Sequence, residues 1–325
     1  MKTRPLLAIL LSTLVCSLSA CSRSPNTVVL QREWTANAEF AGDLWASEIA
    51  AARSIKLEVR EGSEVIDPIK MVRSNSAQFG VASADRVLRE NEGGAGLVVL
   101  AAATYRSPVV FLANPDRGIN SPADFKGRTI GIQAGTNTEL VFKTLVQLKQ
   151  LSPDMKVVES GWGTATFETG ALDVLAAFEY DEPIQLDLKN VKYKIILPEV
   201  EGVRFVGTVF FASKDFVAKN PKIVQDFMDD LVSGWRQALA NPKEAIQKLS
   251  SRFKQVNVAK ETLSFERGRP YFAGEDGRLL YASQDRWNKM AQQLITLGAL
   301  KSFEFRDNVD YRFLDAALSK RDAKK

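Results

Sequence analysis

The chain has 325 residues, 45% of them hydrophobic and 25% charged, with 43 Lys plus Arg against 39 Asp plus Glu. That is too long and too apolar for a disordered tail, and it suits one large or two ordinary α/β domains. The absence of His excludes a Ser-His-Asp or Cys-His nucleophile, a His-ligated zinc site and an imidazole pH switch, and so weakens the case for an enzyme.

At the N-terminus, Lys2 and Arg4 precede the apolar run Leu6 to Val15, which fits a signal-peptide core and is too short to span a bilayer as a permanent helix. Leu18-Ser19-Ala20-Cys21 then resembles the lipobox of bacterial lipoproteins, in which the peptide is cut before the Cys and the thiol receives a diacylglyceryl group. The other reading is an ordinary secretory signal. On the lipobox reading, residues 1–20 are a signal peptide, Cys16 leaves with them, Cys21 carries lipid and residues 21–26 form a tether. Removing residues 1–20 takes away two positive charges from the formal net charge of +4, which leaves no electrostatic footprint for nucleic acid.

From Thr27 onward strands alternate with helices. Thr27 to Gln31 is a short apolar run, and Asn37 to Arg53 has helical composition with Phe40, Leu44 and Ile49 on its buried face. Ile55 to Arg60 alternates with period two; a helix over 67–73, a strand over 78–82, a helix over 85–92 closed by Gly93-Gly94 and a strand over 97–102 follow. This rhythm predicts a parallel sheet covered by helices. A second set of strands is expected at 129–132, 156–159, 173–178 and 192–197. The extended segments 107–115 and 203–212 bracket it and read as two hinge strands between lobes. The expected organisation is therefore one lobe from residues 27–110 plus 206–325 and a second from 111–205. Helices are expected over 221–240, 242–252, 259–267 and 285–297, with Pro221 and Pro242 in first turns and Asn220 and Asn241 as N-caps.

Two α/β lobes with a double crossover, the lipobox and the run Asp124-Phe125-Lys126-Gly127-Arg128-Thr129-Ile130-Gly131 resemble the periplasmic solute-binding proteins of ABC importers. Within them the chain resembles the branch of thiamine-pyrimidine-precursor, alkanesulfonate, taurine and nitrate binding proteins and the related pyrimidine synthases. Four segments carry this: 34–42 (WTANAEFAG), 79–84 (FGVASA), 131–136 (GIQAGT), and 170–173 (GALD) followed by Asp181-Glu182-Pro183. The resemblance covers residues 27–315 and implies an α/β, periplasmic-binding-protein-like (type II) fold of two lobes joined by a two-strand hinge. Where the family's loop commonly has His, this chain has Phe40, and the synthases' histidine and cysteine-rich motif are missing, so their chemistry is not expected.

In open α/β sheets ligands sit beyond the carboxyl ends of strands. That rule selects Trp34, Asn37 and Glu39 after the first strand, Ser63 after the second and Ser83 after the third. In the second lobe it selects Gln133, Gly135, Thr136 and Asn137, where free N–H groups at a helix start either meet a ligand oxygen or simply cap the helix. It also selects Trp162 and the acidic turn Glu179-Tyr180-Asp181-Glu182-Pro183. That turn reads as a hard-ion site, a solvated helix cap, or a recognition turn in which Tyr180 stacks on a flat ring and Glu182 or Asp181 accepts from its N–H groups. Trp34 is then either the opposite wall or a core residue, Trp162 is a second aromatic candidate, and Trp45 and Trp235 read as packing.

These acceptors favour a flat nitrogen heterocycle of the thiamine-precursor kind over an alkanesulfonate, taurine or nitrate, because an acidic wall repels an anion. The resemblance implies a monomer with no cofactor and no metal, exported and held at the membrane by its lipid. Lobe closure would deliver a small solute to an ABC permease powered by a separate ATPase subunit, since the chain has no phosphate-binding loop. A ligand-sensing receptor and an enzyme acting on the bound ring through Glu182, Tyr180 or Lys residues are the other readings.

Overall fold

Short apolar runs and amphipathic segments fold as two α/β lobes in the computed structural model, which describes residues 27–53 and 55–320. The expected signal peptide, lipobox, lipid-bearing Cys21 and tether lie outside the described residues. The first run is β1 (Thr27–Gln31), α1 (Ala41–Ala52), β2 (Lys56–Arg60), α2 (Pro68–Arg73), β3 (Phe79–Ser83), α3 (Ala84–Glu92) and β4 (Leu97–Ala102). The second is β5 (Val109–Ala113), β6 (Thr129–Ile132), α4 (Asn137–Leu148), β7 (Lys156–Glu159), α5 (Ala165–Glu168), β8 (Val174–Phe178), α6 (Glu182–Leu188) and β9 (Lys194–Ile196). The chain then returns through β10 (Thr208–Ser213), α7 (Lys214–Lys219), α8 (Pro221–Ala240), α9 (Pro242–Arg252), α10 (Val258–Phe272), α11 (Gln284–Thr296), α12 (Phe305–Asn308) and α13 (Arg312–Ser319).

The strands form two five-stranded sheets, ordered β2-β1-β3-β10-β4 and β7-β6-β8-β5-β9. The expected all-parallel first sheet is not what forms. β1 pairs in parallel with β2 and β3, but β10 runs antiparallel between β3 and β4. Phe210, Phe211 and Ala212 are wholly buried there, so this apolar strand takes a central slot that local rhythm assigns to its sequence neighbours.

The two extended segments also resolve differently from single hinge strands. Each ends inside one sheet, the first as β5 beside β8 and β9, the second as β10. The crossover is made by the irregular pieces around 104–107 and 205–208. These clasp each other through Ser107 N–H to Phe205 O (2.9 Å), Gly207 N–H to Thr104 O (3.1 Å) and Thr208 N–H to Thr104 Oγ1 (2.8 Å). Gly207 permits this approach, because a Cβ there would strike the Thr104 side chain and lie 2.8 Å from Arg106 O.

Helix boundaries follow local signals. Asp67 caps α2 by accepting from Ile69 and Lys70 N–H. Asn220 and Asn241 precede α8 and α9 as expected, yet neither caps them: their side-chain amides donate backward to Phe216 O and Gln237 O. On α1, Leu44 is buried whereas Ile49 is only half-buried. Trp235 of α8 is buried against α1, its Nε1–H donating to Asp43 (3.0 Å).

Candidate ligand-binding cleft

Loops at the carboxyl ends of the parallel strands β1, β2, β3, β6, β7 and β8 converge between the sheets around a cavity of about 480 Å³. That is a small-molecule volume at the position expected of open α/β sheets. The β1 and β2 loops are clasped together by Gly62 N–H to Trp34 O (2.7 Å), where any side chain at 62 would collide with the carbonyls of Arg32 and Glu33. Trp34, Asn37, Glu39, Ser63 and Ser83 line the cavity from the first lobe. Gly135, Thr136, Asn137, Trp162, Tyr180 and Glu182 line it from the second.

Gln133 is the expected residue that does not line the cavity. It is buried beneath the loop, its amide bracing Ser160 Oγ (3.1 Å), Gly161 O (2.9 Å) and Ala176 O (3.3 Å). The turn above it is also less open to ligand than expected. Gly135 N–H donates to Glu139 (2.7 Å), Ala134 N–H to Glu159 (2.8 Å) and Thr138 N–H to Thr136 Oγ1 (3.2 Å). The helix thus caps itself with its own carboxylate and hydroxyl, which is the plainer of the two readings. Ser63 and Asn137 keep their side-chain polar atoms without a partner among the described residues.

Trp34 and Trp162 meet across the mouth with ring centroids 5.1 Å apart and planes inclined at 50°, and Phe178 lies 6.3 Å beyond Trp162. Trp162 is 42% exposed although it is a large aromatic. Tyr180, expected as a stacking face, is instead a buried wall. Its ring packs on Tyr271 and Phe272 of α10 at 5.5 and 5.6 Å, and its hydroxyl donates to Glu39. Burial and the Glu39 charge push the phenol well above its ordinary pKa, so it stays a donor.

The carboxylates divide into paired and unpaired. Glu39 is held by Arg32 (3.2 Å) as well as Tyr180, and Arg32 also pairs with buried Asp43. Asp181 pairs with Lys260 of α10 (2.6 Å), which also holds Glu261 (3.1 Å), and Glu261 in turn accepts from Ala38 N–H (2.7 Å). Burial works against the Lys260 charge, but Asp181 and Glu261 outweigh it and raise its pKa. Glu182 has no cationic partner within ion-pair distance among the described residues. It accepts from Phe178 N–H (2.8 Å), and burial together with the neighbouring Asp181 charge pushes its pKa up to about 7. Of the three carboxylates that the sequence places in the acidic wall, Glu39 and Asp181 are thus paired with cations and Glu182 is not.

Some lining residues carry no motif. Arg86 of α3 pairs with Glu33 (2.8 Å) and Asp67 (2.9 Å), and Arg89 with Asp85 (3.1 Å), so these cations arrive largely neutralised. Their signal was available, since both fall in the helix that opens directly after Ser83. Lys260, Glu261 and Ser264 come from α10, which tertiary packing alone brings to the cleft.

A family model described as NMT1/THI5 like matches residues 51–245. The chain belongs to the NMT1/THI5-like family. The riboflavin-binding protein RibY of Chloroflexus aurantiacus is 26% identical over 183 residues, covering 55% of this chain and only 52% of RibY. A binding protein of Brucella abortus is 22% identical over 290 residues, covering 81% of this chain and 86% of its own length. The periplasmic aliphatic sulphonate binding protein SsuA from Escherichia coli aligns with a TM-score of 0.71 at 13% identity, over 88% of this chain and 92% of SsuA. This NMT1/THI5-like chain has the type II periplasmic-binding-protein-like α/β fold. Its NMT1/THI5-like match begins after Trp34 and ends before α10, so two parts of the cleft lie outside it. No helix among the described residues is long and apolar enough to cross a membrane.

Proposed function

We propose that this chain is the solute-binding component of an ABC importer, exported and anchored through Cys21, that traps a flat nitrogen heterocycle of the thiamine-pyrimidine-precursor type. Two lobes, 27–110 with 206–325 and 111–205, close about the crossover, bury the solute and present a closed surface to a permease, with ATP hydrolysis supplied by another subunit. The observation that carries this reading is that the touching Trp34–Trp162 pair and Glu182 line one cavity. Two indoles offer π-faces to a planar ring, and an unpaired carboxyl accepts from ring N–H or amino groups at its edge. The solute is bound and released unchanged.

A second reading within the same class is favoured by the RibY match. An isoalloxazine is a larger flat heterocycle with an N–H edge, and the same slot suits it. Isothermal titration of the purified protein against a 4-aminopyrimidine, riboflavin, taurine and an alkanesulfonate tests both. Binding of either heterocycle, with a raised melting temperature, supports the proposal, and the identity of the binder separates the readings. Binding of only the sulfonates refutes both.

A further inference from the structure

Ser264 of α10 lies in the cleft wall and is 2% exposed, and its Oγ has no hydrogen-bond partner among the described residues. A serine in a helix ordinarily avoids that state by turning back onto a carbonyl three or four residues earlier. Ser47, Ser250 and Ser319 do so elsewhere in the chain, and on α10 itself Thr262 bonds Val258 O at 2.7 Å. Ser264 does not use that escape.

Its neighbours on the same helix face show what it confronts. Lys260, one turn before, reaches Asp181 at 2.6 Å, and a Cβ on Gly268, one turn after, would touch the Tyr180 ring at 3.4 Å. Ser264 therefore stands between two residues that meet the Tyr180–Glu182 turn of the other lobe, and it lines the same cavity as Glu182. A buried hydroxyl without a partner costs stability unless something pairs with it. No described residue supplies that partner, and the open space that Ser264 borders is the cleft.

Resting on the reading of the cleft as a heterocycle site, we infer that Ser264 is a specificity-determining contact, its hydroxyl pairing with a ring nitrogen, amino or carbonyl group on the edge of the solute that faces α10. The segment lies beyond residue 245, outside the family match. A solute whose α10-facing edge is purely hydrocarbon forms no such bond and binds more weakly.

The test compares Ser264→Ala with the wild type by titration against riboflavin and 4-amino-2-methylpyrimidine, alongside melting of the ligand-free proteins. Affinity for whichever probe the wild type binds should fall about tenfold, while the ligand-free melting temperature stays level or rises by about 2 °C, because the unpaired hydroxyl is gone. Thr144→Val is the control: Thr144 Oγ1 is another buried, unpartnered hydroxyl, but it lies outside this cleft, so its loss should leave affinity untouched. Unchanged affinity in Ser264→Ala overturns the inference while leaving the function reading standing. A lowered ligand-free melting temperature in that variant also overturns it, since it marks a structural serine. If the wild type binds neither probe, the function reading falls and takes this inference with it.

Discussion

Trp34 and Trp162 come from opposite lobes, and their rings lie 5.1 Å apart over the cavity. The rings pack on each other, so an entering planar ring must replace indole–indole contact with indole–ligand contact on one or both faces. Trp162 is 42% exposed and its ring meets Trp34 and Phe178, so truncating it should cost less than removing a fully buried tryptophan. Trp162→Ala should weaken solute binding at least about tenfold while lowering the melting temperature by only a few degrees. Titration calorimetry and thermal melting on the same preparation check both halves.

Glu182 makes stability and binding depend on pH. Its folded pKa of about 7 lies above the ordinary carboxyl value of 4.5, so between those limits the folded state holds a proton that the unfolded state has released. That stabilisation is full below the unfolded pKa and is lost as pH rises through about 7. Raising the pH from 5 to 8 should therefore cost the wild type up to roughly 3 kcal/mol from this group, and Glu182→Gln should flatten that part of the profile. Denaturant melts of both proteins across this range measure it. Binding of a donor-rich heterocycle should strengthen over the same interval as the carboxylate forms.

Tyr180 is a structural residue as much as a lining one. Tyr180→Ala empties a site that is 4% exposed between Tyr271 and Phe272, and should destabilise the fold by about 3–5 kcal/mol. Tyr180→Phe keeps the packing and removes only the donor to Glu39, which retains Arg32, so its cost should be nearer 1 kcal/mol. Equal losses in the two variants, read from urea midpoints, would contradict this division.

Cys21 tests the anchoring half of the proposal without touching the cleft. Cys21→Ser should shift the protein from the membrane fraction to the soluble exported fraction and abolish labelling by radioactive palmitate, with solute affinity unchanged. Fractionation and labelling of cells expressing each form check it.

Much of this architecture is legible locally. The strands at 97–102, 129–132 and 156–159 and the helices at 221–240 and 242–252 fall at the expected residues, because β-branched runs, prolines in first turns and preceding polar residues are short-range signals. Sheet order is not legible in this way. Whether β4 pairs with β3 or with β10 is decided by a strand that returns about a hundred residues later. The cleft divides along the same line. Residues just beyond strand ends, such as Trp34, Ser83 and Trp162, are found by the topological rule, which gives position but not partners. Nothing local says that the Tyr180 ring packs on α10, that Lys260 neutralises Asp181, or that Gln133 turns inward to brace its own loop.

The central claim is tested most directly by denaturing the protein, purified from its native host without added ligand, and identifying the released small molecules by mass spectrometry. The account predicts one dominant compound at near-stoichiometric yield, a flat nitrogen heterocycle bearing N–H or amino groups, recovered chemically unchanged. Recovery of an alkanesulfonate or another aliphatic anion in its place would contradict it.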